Sequence, residues 1–438
     1  MKLGTNPLVK GLMVALVGLL LLVPLEMLRG LVRERAQSRQ EAYASVARGW
    51  GGEQLIGGPI LAIPVTVTPA GGRSPPQDYN WFVLPESLTL ESELAVQDER
   101  RKLGVYEVPV YVTNVHSQAV FDIEARVASF LQSQSGAVLH LDRARLIVPI
   151  SDSRGVRDIH VTGAGVSDGS FEPDAGFAMS SLGIALRADA QIEKGTHQFD
   201  VTLQVAGTHS LSFLPTAHTT SLQLSGNWAD PGFTRGFLPI ERGVSNGRFH
   251  ARWQILDLNR AFGSSWLGDA VALPALQDSA AGVELVQTVD LYQQAERSVK
   301  YAGLFIALSL LTLFVWEHLV RQPLHPIQYG LMGLALSVFY LLLLALAEHI
   351  GFALAYVCAA AALCGLLGIY LAGAFNSAPS GAGAGAVFAG VYALLYLLVT
   401  SEDYSLLAGS IAVFALLATA MVLTRRLDWY QATTRTQE

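Results

Sequence analysis

The stretch His325–Ile350 reads HPIQYGLMGLALSVFYLLLLALAEHI, and the 21 residues of 327–347 carry no acid, base or histidine. About 20 mostly apolar residues in a helix cross the hydrocarbon core of a bilayer. This run therefore reads as a membrane span, and its edges read as interfaces. On its N-terminal side, residues 317–329 (EHLVRQPLHPIQY) hold an acid, a base and two histidines. Pro323 and Pro326 break the helices at each end, so 317–326 is expected to be a short connection between spans. His318 and His325 lie seven residues apart across two prolines, unlike the i,i+4 pairing of helical zinc sites. A second acid–base pair, Glu348-His349, closes the same run. The two pairs sit at opposite ends of a helix, about 30 Å apart at 1.5 Å per residue, so they are not expected to build one site. Ionisable groups near membrane depth are often functional, which keeps both pairs as candidates.

The rest of the chain agrees with this start. Only 15% of the 438 residues are charged, against about 25% in soluble domains. There is no Lys from Tyr301 onward and no charge from Ile350 to Thr400, whereas residues 33–300 have ordinary soluble composition. This is a membrane protein with one large water-facing domain. A net charge of −7 gives no footprint for nucleic acid. Both cysteines, Cys358 and Cys364, lie in an apolar run. The soluble part is thus expected to hold its core without disulfides, which its size of about 260 residues permits.

Six spans are expected: 8–28, 301–316, 327–347, 352–374, 387–400 with some preceding Gly/Ala, and 406–424. The first resembles a signal peptide, but it is long and no clear A-x-A site follows at the right distance, so it reads as an uncleaved anchor. The GAGAGA of 381–386 is read as letting helices approach closely. The expected organisation is an N-terminal anchor (1–31), an extracytoplasmic β-rich domain with flanking helices (32–298), a five-helix membrane region (299–426) and a cytoplasmic tail (427–438). Orientation follows from Lys and Arg in short loops. Arg425, Arg426 and Arg435 place the tail inside, Arg321 places 317–326 inside, and Ser401-Glu-Asp-Tyr404 fits outside. Both termini are then cytoplasmic, in agreement with Lys2 and Lys10, and the large domain is periplasmic. Arg29, Arg33, Arg35, Arg39 and Arg48 run against this bias, but long domains translocate largely regardless of charge.

From about Trp50 to Asp290 the pattern is β. Runs 59–67, 81–96, 105–115, 145–150, 199–207, 220–228 and 247–256 alternate or are β-branched, between Gly, Pro, Asn, Asp and Ser turns. One helical run, 125–132, interrupts them. Antiparallel sandwiches, in one lobe or two, are expected. Residues 33–50 should continue the first helix, and 290–300 should run as helix into the second span, which couples the domain to the membrane at both ends.

Two G-x-S-x-G matches occur, around Ser167 and Ser245. A hydrolase elbow needs a strand before and a helix after. Here Asp168-Gly169 and Asn246-Gly247 mark hairpin turns instead. The soluble histidines form no H-x-H or H-x-x-x-H cluster. Ser151-Asp-Ser-Arg-Gly155 reads as a turn with Asp152 and Arg154 paired. No catalytic, cofactor-binding or metal-ligating residue is assigned.

Several of these segments resemble the CreD family of bacterial inner-membrane proteins. The strongest carriers are VDLYQQAERSVKYAGLFIALSL (289–310) and HPIQYGLMGLALSVFYLLLLALAEHIGFALAY (325–356). They are supported by GVYEVPVYV (104–112), SDSRGV (151–156), SEDYSLLAGS (401–410) and TRRLDWY (424–430). The resemblance covers essentially the whole chain; Ser309-Leu-Leu-Thr312 departs from it, where a Thr/Phe-rich run is usual. It implies inner-membrane location and a role in envelope integrity under stress, and it supplies no catalytic residues. The expected function is a non-enzymatic integrity protein whose external domain binds a partner. Membrane lipids, an envelope protein or glycan, and further copies of the chain are the partner classes. A transporter or lipid-handling protein is the alternative, although the polar residues of spans three to six are few and uncharged, among them Ser337, Tyr340, Tyr356, Tyr370 and Asn376. A membrane hydrolase using Ser167, Ser245 or the Glu-His pairs is a third.

Overall fold

The computed structural model describes residues 7–68, 75–97, 101–103, 106–134, 136–163, 165–166, 171–174, 184–233, 236–260, 262–268, 278–286, 291–320 and 322–400, with single positions at 410, 411, 414, 418 and 421. The chain forms two compact units, Met1–Gln40 with Val289–Glu438, and Glu41–Thr288. Its helices are α1 (Pro7–Leu20), α2 (Leu22–Trp50), α3 (Ile123–Ser133), α4 (Leu291–Val320), α5 (Pro326–Ile350), α6 (Phe352–Ala374) and α7 (Ala378–Thr400).

Among the described residues, five segments are long and apolar enough to cross a membrane: Lys10–Trp50 taken as one, and four within α4, α5, α6 and α7. The expected span 406–424 lies largely outside the described residues, as do Arg321, Arg425, Arg426, Arg435 and the loop 401–404. Pro24 explains the break at Leu21: it has no N–H for the Leu20 carbonyl, and its ring crowds that oxygen. Gly351, at φ 77°, closes α5 and opens α6 in one step. Helix α7 begins at Ala378, so it takes in all of the preceding Gly/Ala stretch rather than some of it. Ser377 accepts the Ser380 N–H, and Pro379 suits a first turn, so the GAGAGA stretch is helical from its start. A Cβ on Gly381 would lie 2.4 Å from that of Ala372, so α6 and α7 approach closely there.

In the β-rich unit the strands are β1 (Gln54–Gly57), β2 (Ile60–Val67), β3 (Gln77–Val83), β4 (Ser87–Val96), β5 (Arg101–Leu103), β6 (Tyr106–Val108), β7 (Val110–Asp122), β8 (Ala137–Leu139), β9 (Ala144–Ile150), β10 (Val156–Gly163), β11 (Glu172–Asp174), β12 (Ile184–Ala190), β13 (Thr196–Thr208), β14 (Ser210–Leu214), β15 (Thr219–Gly226), β16 (Pro231–Gly232), β17 (Glu241–Ser245), β18 (Arg248–Leu256), β19 (Ser265–Leu267) and β20 (Ala281–Leu285). An eleven-stranded sheet follows the path β16-β20-β14-β1-β9-β2-β3-β19, with β8, β11 and β12 attached. A seven-stranded sheet runs β10-β13-β7-β4-β15-β18-β17. The antiparallel expectation needs correction: β1 pairs with β14, and β4 with β15, in parallel. Residues 81–96, expected as one run, split at Leu84-Pro85-Glu86 into β3 and β4, which enter different sheets. Pro85 has no N–H to continue a ladder.

Both sheets feed one core. Leu88, Leu90, Val115, Leu203 and Trp253 of the seven-stranded sheet share a buried cluster with Ile56, Leu61, Trp81 and Val148 of the eleven-stranded sheet. A core shared between two sheets makes a sandwich of two layers, and a second buried cluster, with Ile60, Ala62, Phe82 and Ile147, lies on the eleven-stranded sheet. Helix α3, capped by Asp122, stacks Phe130 on Trp81 at 4.3 Å between ring centroids.

Candidate functional site

The alternation that buries Leu88, Leu90 and Leu94 sends Glu91 and Glu93 to the opposite face of the seven-stranded sheet. Register then aligns polar residues across strands. Glu91 stands opposite His116 on β7 and Gln223 on β15, Gln223 opposite Arg252 on β18, and Arg252 opposite Glu241 on β17. The next rung holds Asn114, Glu93, Ser225, His250 and Gly243. Together the two rungs line a shallow groove of about 450 Å³. Arg252 Nε donates to Glu241 at 3.1 Å, and Arg248 to Glu93 at 2.9 Å. Direct hydrogen bonding from Arg252 holds the Glu241 carboxyl below its ordinary value. The groove presents carboxylate, guanidinium, imidazole and amide groups on a rigid ladder, a chemistry suited to a polar surface such as glycan or protein.

This groove also accounts for one G-x-S-x-G match. A Cβ on Gly243 would lie 2.3 Å from the His250 ring, so that glycine makes room for a cross-strand neighbour. Ser245 is exposed and ends β17, and Asn246 and Gly247, at φ 51° and 71°, form the two-residue hairpin turn. The Ser245 backbone pairs with Arg248, and its hydroxyl has no hydrogen-bond partner among the described residues. Ser167 lies outside them.

The turn 151–155 is a paired structure, as read. Arg154 donates to both carboxylate oxygens of Asp152 at 2.8 Å, and the Gly52 N–H donates at 2.9 Å. Burial pushes the Asp152 carboxyl up, but these hydrogen bonds outweigh it and hold the group below its ordinary value. A pair that sequence did not suggest is His218 and Asp257, with Nδ1 2.6 Å from Oδ2. That hydrogen bond lowers the Asp257 carboxyl. Arg260 beside it is buried over the Phe262 ring and donates to the Pro215 carbonyl at 3.3 Å. Burial lowers its guanidinium to about 10. The two partners, 39 positions apart, left no local signal.

In the helical unit the two Glu-His pairs come apart. Glu317 is not in the connecting turn; it lies on α4 and is 5% exposed, paired with Lys10 of α1, which is also 5% exposed. The Tyr329 hydroxyl of α5 donates to Glu317 at 2.6 Å. At the other end of α5, Glu348 accepts from Tyr292 at 3.1 Å and lies 3.8 Å from Arg35 of α2. Each cluster is thus an acid, a tyrosine and a base from the N-terminal helices. Tyr329 and Glu348 are separated by about 28 Å of helix at 1.5 Å per residue, so the clusters remain distinct. His325 caps α5, accepting from the Ile327 N–H at 3.3 Å, and His349 is exposed. The His318 side chain lies outside the described residues. Between the clusters, Tyr356 donates to the Tyr392 carbonyl at 2.7 Å, while the buried hydroxyls of Tyr340 and Tyr392 have no partner among the described residues. No group of three His, Cys, Asp or Glu that could hold a metal occurs among the described residues.

Comparison with known proteins adds the family. The family described as "Inner membrane protein CreD" matches residues 6–430. The chain is 31% identical over 430 residues to "Inner membrane protein CreD" of Escherichia coli (strain K12), covering 94% of this chain and 91% of that relative.

Proposed function

Because the chain belongs to the CreD family of inner membrane proteins, we propose that it is a non-enzymatic contributor to cell-envelope integrity whose β-rich unit binds an envelope partner. The groove on the seven-stranded sheet is the observation that carries this reading. Its two rungs set opposite charges and amide groups at fixed 4.7–4.9 Å strand spacing, as recognition of an extended polar surface requires. On the charge reading of the short loops, this face is periplasmic. The hydrolase reading has less support: Ser245 lacks the hydrogen-bonded base that an activated nucleophile needs. The transporter reading is best served by ionisable groups near the bilayer midplane; the two ion-paired clusters lie at helix ends, and the polar groups described between them are tyrosine hydroxyls.

The test is replacement on the groove. Glu93→Ala/His250→Ala/Arg252→Ala should leave membrane insertion intact and abolish protection of a strain lacking this chain against detergent stress. A photo-crosslinker at Gln223 should capture one envelope component in the wild type and lose it in the triple variant. Full protection by the triple variant would refute the binding-module reading.

A further inference from the structure

In the helical unit, α2 and α4 enclose a groove of about 620 Å³ beside the first apolar run. Arg29 and Arg33 line it from α2, and Arg297 and Lys300 from α4. The spacings i,i+4 and i,i+3 put each pair on one helix face. Buried Val32 and Val299 also line it, and Glu296 is its one acidic lining residue. Arg29 pairs with exposed Glu26 at 2.7 Å. Arg33 and Lys300 are exposed and have no ion-pair or hydrogen-bond partner among the described residues.

Position decides what such a groove can hold. Arg29 and Arg33 directly follow the apolar run 8–28, and Arg297 and Lys300 directly precede the one that starts at Tyr301. All four basic groups therefore stand where hydrocarbon gives way to headgroups, with apolar side chains beside them. A solvated basic face would need no apolar lining and no convergence of two helices. The arginines after the first span also run against the usual charge bias of membrane proteins, on the orientation proposed above. We infer that this groove binds the phosphate headgroup of an anionic phospholipid, with Arg33 and Lys300 as its principal contacts.

The test uses the full chain in nanodiscs of phosphatidylcholine and phosphatidylglycerol in equal parts, with retained lipid counted by native mass spectrometry. Phosphatidylglycerol should be enriched on the wild type. Arg33→Gln/Lys300→Gln should reduce its retention about thirtyfold, and Lys300→Gln alone about fivefold, as expected for surface charges near anionic lipid. Arg143→Gln/Arg242→Gln, which removes the same charge from the β-rich unit, should change nothing. Thermal unfolding selects variants that remain folded, and the single variant serves if the double does not. Equal retention in all variants, or no enrichment in the wild type, overturns the inference. So does binding of inorganic phosphate by lipid-free protein that the Arg33/Lys300 variant loses to the same extent, since that result describes a site for a free anion.

Discussion

Glu317 shows how much one buried residue can demand of its neighbours. Its carboxylate is shielded from water, and Lys10 and Tyr329 satisfy it. Removing one partner of a buried ion pair leaves an uncompensated charge, at about 3–5 kcal/mol, whereas replacing both with apolar groups is often close to neutral. Lys10→Met and Glu317→Gln should therefore each lower the unfolding temperature of the detergent-solubilised protein sharply. Lys10→Met/Glu317→Leu should lose less than either, about 1–3 kcal/mol for the Tyr329 hydroxyl left unpartnered. A double variant as unstable as the sum of the singles would mean that the residues do not act as a pair. The pairing was not legible in sequence, because its members are 307 positions apart and Lys10 also satisfied the charge rule for a cytoplasmic flank. Asp152 was legible, since its partner is two residues away. Its folded carboxyl lies below the ordinary value of about 3.9. The stability it contributes is thus present above that value and is lost as pH falls through the folded one. Circular dichroism melts should be insensitive to pH from neutral to about 5 and fall below about 4. Asp152→Asn should cost about 1–3 kcal/mol at neutral pH and flatten part of the acid slope; an unchanged slope would assign acid sensitivity to other carboxylates.

Elements were most readable where one physical rule acted alone. Apolar length identified α5 and α6, and alternation identified β4, β13 and β18, because burial on one face dictates each pattern. Parallel pairing of β4 with β15 was not readable, since a strand's own alternation is the same whichever neighbour it meets. The start of α7 fell between rules. Glycine and alanine repeats suggest a linker in water, but against another helix in a bilayer they permit close approach. Gly381 tests this. A Cβ there meets Ala372 backbone at 2.6 Å as well as its side chain, while Gly390 on the same helix has nothing within 4 Å. Gly381→Val should destabilise by about 1–3 kcal/mol through overpacking, and Gly390→Ala should be neutral within about 1 kcal/mol. Equal effects on thermal unfolding would remove the close approach as the reason for the glycines.

For the whole molecule, orientation decides whether the groove of the seven-stranded sheet can meet the envelope. Short-loop arginines argue for a periplasmic β-rich unit, and the five arginines after the first span argue the other way. The bias weakens for long translocated domains, and the headgroup site inferred above would give Arg29 and Arg33 a reason to remain. Accessibility separates the two. Native Cys358 and Cys364 lie on α6, so a Cys358→Ala/Cys364→Ala background carrying Ser245→Cys places one thiol at an exposed hairpin. A membrane-impermeant maleimide applied to cells with a permeabilised outer membrane should label it at once, and prior lysis should add little. Labelling only after lysis would put the β-rich unit in the cytoplasm. The envelope-binding reading would then fail as a whole, since the polar rungs would face cytosolic rather than envelope components.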